Sequence, residues 1–382
     1  VDLRDGPDEA SFRTRLRHWL ATAVPDEPDA ERAARRWQDR EFVRGYTTAL
    51  WEAGYAGLGW PREYGGQDLP IGCQAVFLEE TARRGAAEHA GVIGVGMVGP
   101  TVIAWGTPEQ RARFLPGILS GDTVFCQGFS ESEAGSDLAA VRTRAIPDGD
   151  GYRLDGGKLW SSYAPLADHC LVLARTDPDA TGHAGLSCLL VDLASPGVEV
   201  RPLRQITGAS DFAELRFDGV RVPAAAVVGP PGDGWKVAMT TLAHERGTFG
   251  FTLTARLEVQ LDRLMGMARD CGADDDPLVR DELVSLWVEL AGLRWTNLRS
   301  LTTLRRTGSP GPETGIVKLR WSRANQRLAH LAVRVADAHG GPWRAYWRTQ
   351  LLRSRGNTLE GGTSEILRDI VAHRVLRLPK SR

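Results

Sequence analysis

Gln127-Gly128-Phe129-Ser130-Glu131-Ser132-Glu133-Ala134-Gly135-Ser136-Asp137 follows the strand-like pair Val124-Phe125 and crowds small and hydroxyl-bearing residues into a turn. Backbone amides and hydroxyls in such a turn are free to face a bound phosphate or ring. A Ser/Gly-rich turn taken alone is an ordinary turn. Its weight comes from Lys158-Leu159-Trp160-Ser161-Ser162 further on. If this is a strand, an aromatic plane and a hydroxyl two residues apart project to the same side, which suits a flat heterocycle with a hydrogen-bonding edge.

Working outward, residues 123–228 show short apolar alternations: Cys170, Val172 and Ala174, then Leu215 and Phe217 either side of Arg216, then Val220 and Val222. These predict β-strands. Asp155-Gly156-Gly157 supplies residues that tolerate positive φ, and predicts a tight hairpin pairing Tyr152-Arg153-Leu154 with Lys158-Leu159-Trp160. Upstream, residues 9–120 are rich in Ala, Arg, Glu and Leu in helical runs, broken at 54–61 and at Gly65-Gly66. Downstream of Gly234, Leu283, Leu286, Leu290, Leu293, Leu301 and Leu304 recur at helical spacing, as do Ala324, Leu328, Leu331, Val335 and Ala338. Stripes of this kind bury against partner helices. The predicted fold class is α+β multidomain: an N-terminal α-helical domain over 1–122, a middle antiparallel β domain over 123–230 and a C-terminal four-helix bundle over 231–382.

The 382 residues suffice for two or three packed units. Lys+Arg 47 against Asp+Glu 48 leaves a formal net charge of -1, so no broad field exists to hold nucleic acid. The five cysteines are scattered without a CxxC spacing and read as reduced, packed thiols of a cytoplasmic protein. The quoted sequence starts without an apolar leader, and no run of about 18 apolar residues suggests a membrane span. Gly94-x-Gly96-x-x-Gly99 matches a dinucleotide fingerprint by letters, but its flanks are helical, so close packing is the better reading. Asp270, Asp274, Asp275 and Asp276 lack the ligand spacing of a calcium loop and read as a solvated turn. The histidines show no HExxH spacing and no GxSxG elbow is present, so no metal and no serine nucleophile is expected.

The 127–137 and 158–162 segments resemble the signatures of the acyl-CoA dehydrogenase family, and Gly361-Gly362-Thr363-Ser364-Glu365-Ile366 resembles its closing motif. Leu58-Gly59-Trp60-Pro61-Arg62-Glu63-Tyr64-Gly65-Gly66 is similar to its N-terminal domain. The resemblance spans nearly the whole chain, in order. It implies the helix, sheet, helix architecture and FAD-dependent α,β-dehydrogenation of an acyl thioester, with FAD between sheet domain and bundle and its adenosine half reaching a second subunit. Carried over by position, Phe129 and Ser130 would meet the pyrimidine end of the flavin, Gly135 and Ser136 its phosphate region, and Trp160 and Ser162 the ring and its N5/O4 edge, with Gln127 and Ser161 also among the cofactor-binding residues. Thr363 and Glu365 would touch the ribityl or adenosine portion near a helix start, where free N–H groups favour anions. Ser136, Arg246 and Gly361 would contact substrate, with the N–H near Gly361 and a ribityl hydroxyl stabilising charge on the thioester oxygen.

The reaction needs a carboxylate to remove the α-proton. In the commoner family pattern a Glu precedes the closing Gly-Thr; here Gly361 holds that place and Glu360 comes one residue too early. Members resembling isovaleryl-CoA dehydrogenase place the base on a bundle helix before an Arg, and His244-Glu245-Arg246-Gly247 matches them. Glu245 is therefore the expected base, against the ordinary reading of a Glu-Arg pair as solvated. Two family features are weak. No Arg-x-x-Phe-Gly segment stands around 269–277, and Asp337 replaces a Gln, an unfavourable anion beside a diphosphate unless it is screened. The resemblance thus implies acyl-CoA or a carrier-bound acyl or aminoacyl thioester as substrate and an electron-transfer flavoprotein or similar acceptor. It also implies a homo-oligomer, or a heteromer with a related subunit. The alternative of a non-catalytic partner subunit is opposed by the intact Ser130, Trp160, Ser162 and Glu245.

Overall fold

The computed structural model describes residues 4–24, 39–86, 91–308, 311, 314–340 and 343–379, leaving out the side chains of 40 and 245–249. The chain divides into two compact units, one of residues 1–33, 70–87 and 246–382, the other of 34–69 and 88–245.

The second unit is built on a sheet of β1 (Phe125–Gly128), β2 (Arg144–Asp148), β3 (Gly151–Ser162), β4 (His169–Arg175), β5 (Leu186–Asp192), β6 (Val198–Leu203), β7 (Phe212–Pro223) and β8 (Val227–Val228). Its order is β6-β7-β3-β2-β4-β5-β8, with β1 on β4. The hairpins are antiparallel as expected, and β4 adds parallel pairings to β1 and β2 that no local pattern announces. The alternating residues Leu215, Phe217, Val220 and Val222 are buried on β7, and Cys170, Val172 and Ala174 on β4.

One hairpin sits elsewhere than expected. Asp155-Gly156-Gly157 is not a turn; it lies inside β3, whose two halves pair along the same partner, Leu154 with Val220 and Gly156 with Phe217. A reversal there would abandon β7. The residues do meet the need for positive φ, since Gly156 stands at φ 137 in a bulge. The reversal comes earlier, where Asp148 pairs with Gly151 across Gly149 at φ 62.

Among the helices of this unit, Gly94–Val98 forms a π-helical turn continued by Gly99–Trp105. A Cβ on Gly99 would come within 2.0 Å of the Trp60 ring, and the Trp60 indole donates to the Val95 carbonyl at 3.0 Å. Gly99 and Gly94, whose Cβ would stand 3.2 Å from the Ile118 side chain, therefore serve packing, while a Cβ on Gly96 would meet nothing within 4 Å.

The first unit contains Pro7–Ala23, Ile71–Arg84, the later part of Gly234–Asp270, Pro277–Thr307, Thr314–His339, Arg344–Ser354 and Ser364–Ile370. Leu283, Leu286, Leu290, Leu293, Leu301, Ala324, Leu328, Leu331 and Val335 are buried as their spacing predicts, around a fully buried Trp347. Leu304 is half-buried and Ala338 exposed, where the stripes run out. Asp276 accepts from the Leu278 N–H at 2.8 Å and caps a helix, so the acidic cluster ends in a cap, and no metal-holding group of acids, His or Cys exists among the described residues. No described helix is long and apolar enough to cross a membrane, and the five cysteines are free.

Candidate active site

Strand β3 carries the most unusual residue in the sheet. Trp160 stands at φ 62, in the left-handed region that bulky side chains avoid, and the residue is 56 % exposed. A bulge causes this: pairing to β7 is regular at Lys158↔Leu215 and resumes at Ser161↔Ala213. Strict alternation is therefore interrupted, yet Trp160 and Ser162 still share the less buried side, while Ser161 is buried. Phe212 meets the Trp160 ring edge-on, centroids 6.0 Å apart. Strained backbone under an exposed aromatic is the kind of feature that clusters at ligand sites.

The 127–137 segment is tied to this bulge. The Leu159 N–H donates to the Ser130 carbonyl at 2.8 Å, and Glu131 and Ala134 exchange backbone bonds at 3.0 and 3.2 Å. Gln127 lies on β1, paired with Leu171; Phe129 is buried in the core; Ser130 is half-buried; Gly135 and Ser136 are exposed. Beneath them lies a residue the sequence reading passed over. Lys158 is 1 % exposed, and its ammonium donates to Glu131 Oε1 at 2.7 Å and the Phe129 carbonyl at 3.1 Å. Burial pushes the Lys158 ammonium below its usual value against the opposing Glu131 charge. Burial would raise the Glu131 carboxyl, but the Lys158 charge and hydrogen bonds from Lys158, Arg142 N and Thr143 N outweigh it and hold the carboxyl low.

In the other unit, Gly361 and Gly362 turn the chain at φ 59 and φ 94, and the Thr363 hydroxyl caps Ser364–Ile370 by accepting from Ile366 N at 3.2 Å. Lys318 Nζ fixes the turn by donating to the Gly362 carbonyl at 2.8 Å. Glu365 is exposed and paired with Arg368 at 3.1 Å. Both oxygens of Glu360 are engaged, by Arg353 at 2.8 Å and Asn357 at 2.5 Å. Asp337 is screened by Arg344 at 3.2 Å and Arg348 at 3.0 Å. Glu245 and Arg246 belong to the helix Gly234–Asp270, but their side chains lie outside the described residues. The structure thus brings together Gln127 to Ser136 with Trp160 to Ser162 in one unit, and Gly361, Thr363 and Glu365 in the other. Two surface cavities, of about 370 Å³ (Asp5, Arg13, Arg17, Glu79, Arg83, Arg294) and about 620 Å³ (Glu41, Arg44, Gly45, Thr48, Gly121, Asp122, Asp168), contain none of these residues. The first is lined mostly by ion-paired groups and the second holds the Arg44–Asp168 pair among small and polar neighbours, so neither is read as the catalytic cleft.

The residues fit a flavin. An exposed indole plane flanks a half-buried hydroxyl, the buried Ser161 Oγ has no partner, and a Cβ on Gly135 would meet nothing within 4 Å.

The sequence matches the family profiles described as acyl-CoA dehydrogenase N-terminal domain over 6–122, middle domain over 126–220 and C-terminal domain over 232–376. The chain belongs to the acyl-CoA dehydrogenase family, a family of FAD-dependent oxidoreductases. Among its relatives, "Acyl-CoA dehydrogenase IpdE1" of Mycobacterium tuberculosis (strain ATCC 25618 / H37Rv) is 41% identical over 383 residues, covering 98% of each chain. Among solved structures, "Tcur3481-Tcur3483 steroid ACAD" superposes with a TM-score of 0.90 at 32% identity, covering 100% of both chains. The ChsE4-ChsE5 complex from Mycobacterium tuberculosis does so with a TM-score of 0.87 at 29% identity, again over 100% of both.

Proposed function

We propose that this chain catalyses the FAD-dependent α,β-dehydrogenation of an acyl thioester, acyl-CoA to 2-enoyl-CoA. One observation carries the reading: the exposed Trp160 ring held at positive φ beside Ser162, on a bulge hydrogen-bonded to Ser130. FAD, when bound, supplies the hydride acceptor. Trp160, Ser162 and Ser130 orient its ring, with Gln127, Phe129 and Ser161 behind them. Gly135 and Ser136 leave room for phosphate groups, and Thr363 and Glu365 take the ribityl or adenosine portion. Glu245 would remove the α-proton as general base, and Arg246 would contact the substrate. A backbone N–H near Gly361 stabilises charge on the thioester oxygen. The bonding of Glu360 to Arg353 and Asn357 supports Glu245 for this role.

The steroid title of one similar structure supports a bulky, ring-bearing acyl group. The same reading keeps the three domains at 1–122, 123–230 and 231–382, takes the enzyme to be cytoplasmic and passes its electrons to an electron-transfer flavoprotein. It also gives the chain a second acyl-CoA dehydrogenase subunit as partner. Supporting this is a row of exposed apolar residues on Pro277–Thr307, namely Val284, Trp287, Val288 and Trp295, together with similar structures titled as two-component assemblies. Screening of Asp337 by two arginines supports a diphosphate lying near it.

Glu245→Gln is expected to remain yellow with bound FAD and to lose about 10²–10⁴-fold in kcat, the usual contribution of a general base. A panel of acyl-CoA thioesters with an artificial electron acceptor and mass detection of enoyl product is the measurement. An active Glu245→Gln beside an inactive Glu360→Gln overturns the assignment.

A further inference from the structure

The 127–137 turn and the Trp160 bulge rest on one support. The Lys158 ammonium bonds the Phe129 carbonyl and the Glu131 carboxylate, and that carboxylate also accepts from Arg142 N at 2.7 Å and Thr143 N at 2.9 Å. A single acid therefore joins the start of the loop to its return, and a single cation joins both to the strand that carries Trp160 two residues on. Gly128 makes room for the lysine stem, since a Cβ there would lie 3.3 Å from Lys158 Cγ and 2.8 Å from Cys170 Sγ. An ammonium taken wholly out of water is costly, and an apolar side chain of similar length would fill the space without that cost. What the apolar chain would not do is fix the direction of three separate backbone segments.

We propose that the Lys158–Glu131 ion pair is the positioning device of the flavin site, clamping residues 129–143 to the Trp160 bulge so that Ser130 and the Trp160 ring present themselves to one ligand. The inference rests on the reading that flavin binds at Trp160 and Ser162. Neither member of the pair touches the reacting atoms; each acts through Ser130, Trp160 and the loop between them.

The test uses Lys158→Met/Glu131→Gln, which leaves no isolated charge in the interior, a change that cores commonly tolerate. The expected double variant keeps the far-UV circular dichroism and cooperative melting of the wild type. Hydrogen exchange at the amides of 130–134, 142, 143 and 159 rises, FAD affinity falls by about tenfold or more through lost preorganisation, and the shape of the bound flavin's absorption band changes. A folded double variant with wild-type exchange, affinity and band shape overturns the proposal. Should the double variant be insoluble, Lys158→Met/Glu131→Met, likewise free of an isolated charge, carries the same expectations and the same refutation. Trp160→Ala and Ser162→Ala separate the two readings: wild-type FAD binding by both sinks the flavin placement, and the exchange result then judges the clamp by itself.

Discussion

Glu80 is a carboxylate removed from water and handed to two guanidinium groups. Arg17 donates from Nε at 2.6 Å and Nη2 at 2.9 Å, and Arg13 from Nη1 at 2.5 Å. Burial by itself would raise the Glu80 carboxyl, but the bonds from Arg17 and Arg13 hold it below the ordinary range. A depressed carboxyl stabilises the fold in full above its unfolded value of about 4.3, and that contribution is lost as pH falls through the lower folded value. Glu80→Gln is therefore expected to lower stability by about 2 kcal/mol at neutral pH, with the gap to wild type closing as pH drops below about 4. Urea midpoints measured from acid to neutral pH check this, and a gap independent of pH would sink it. At this scale the sequence singled out Trp160 and Ser162 as the proposed flavin contacts, because an aromatic plane and a hydroxyl declare their chemistry by type. It did not reveal Lys158, since a lysine on a strand reads as solvent-facing, and its acid lies 27 residues earlier with no local spacing to betray it.

Among the elements, the long helix stripes and the alternation on β7 were readable because those elements bury a single face, whereas β4 and β5 are buried on both. The failure at Asp155-Gly156-Gly157 is instructive. Its chemistry is the same as that of Asp148-Gly149-Asp150-Gly151, and only the long partner strand β7 decides which of the two turns and which bulges. The bulge has a measurable need for glycine. At Gly156 a Cβ would lie 2.8 Å from Thr143 Cα, at φ 137. Gly156→Ala is expected to cost about 2–3 kcal/mol from backbone strain and crowding together, seen as a lower denaturant midpoint with unchanged slope. A cost below a few tenths of a kcal/mol would show that the bulge moves freely.

For the whole molecule, the helix Pro277–Thr307 is apolar on two faces. Leu283, Leu286, Leu290 and Leu293 are buried, while Val284, Trp287, Val288 and Trp295 are each more than half exposed. A helix with apolar residues on both sides is normally covered on both. Trp287→Glu/Trp295→Glu is expected to weaken assembly with the proposed second acyl-CoA dehydrogenase subunit by about 10²-fold or more, judged from the usual weight of tryptophan anchors. Native mass measured across a dilution series reads it, with circular dichroism as the control for folding. An undiminished assembly mass rules that face out. Sequence pattern alone showed this helix as one stripe, because the residues of its second face count as surface until packing shows which side is inside.

Cys126, Cys170 and Cys188 have no exposed surface within the sheet, and burial holds the Cys170 thiol well above its ordinary value and pushes Cys188 up to about 12. Alkylating reagents attack thiolates that reach water, so these three sulfurs stay silent until the strands around them part. In the other compact unit Cys73 is buried in the same way, whereas Cys271 is partly exposed and reacts without unfolding. Nature has thereby set a separate stopwatch in each half of the chain, and peptide masses after timed exposure to iodoacetamide tell which half came apart first.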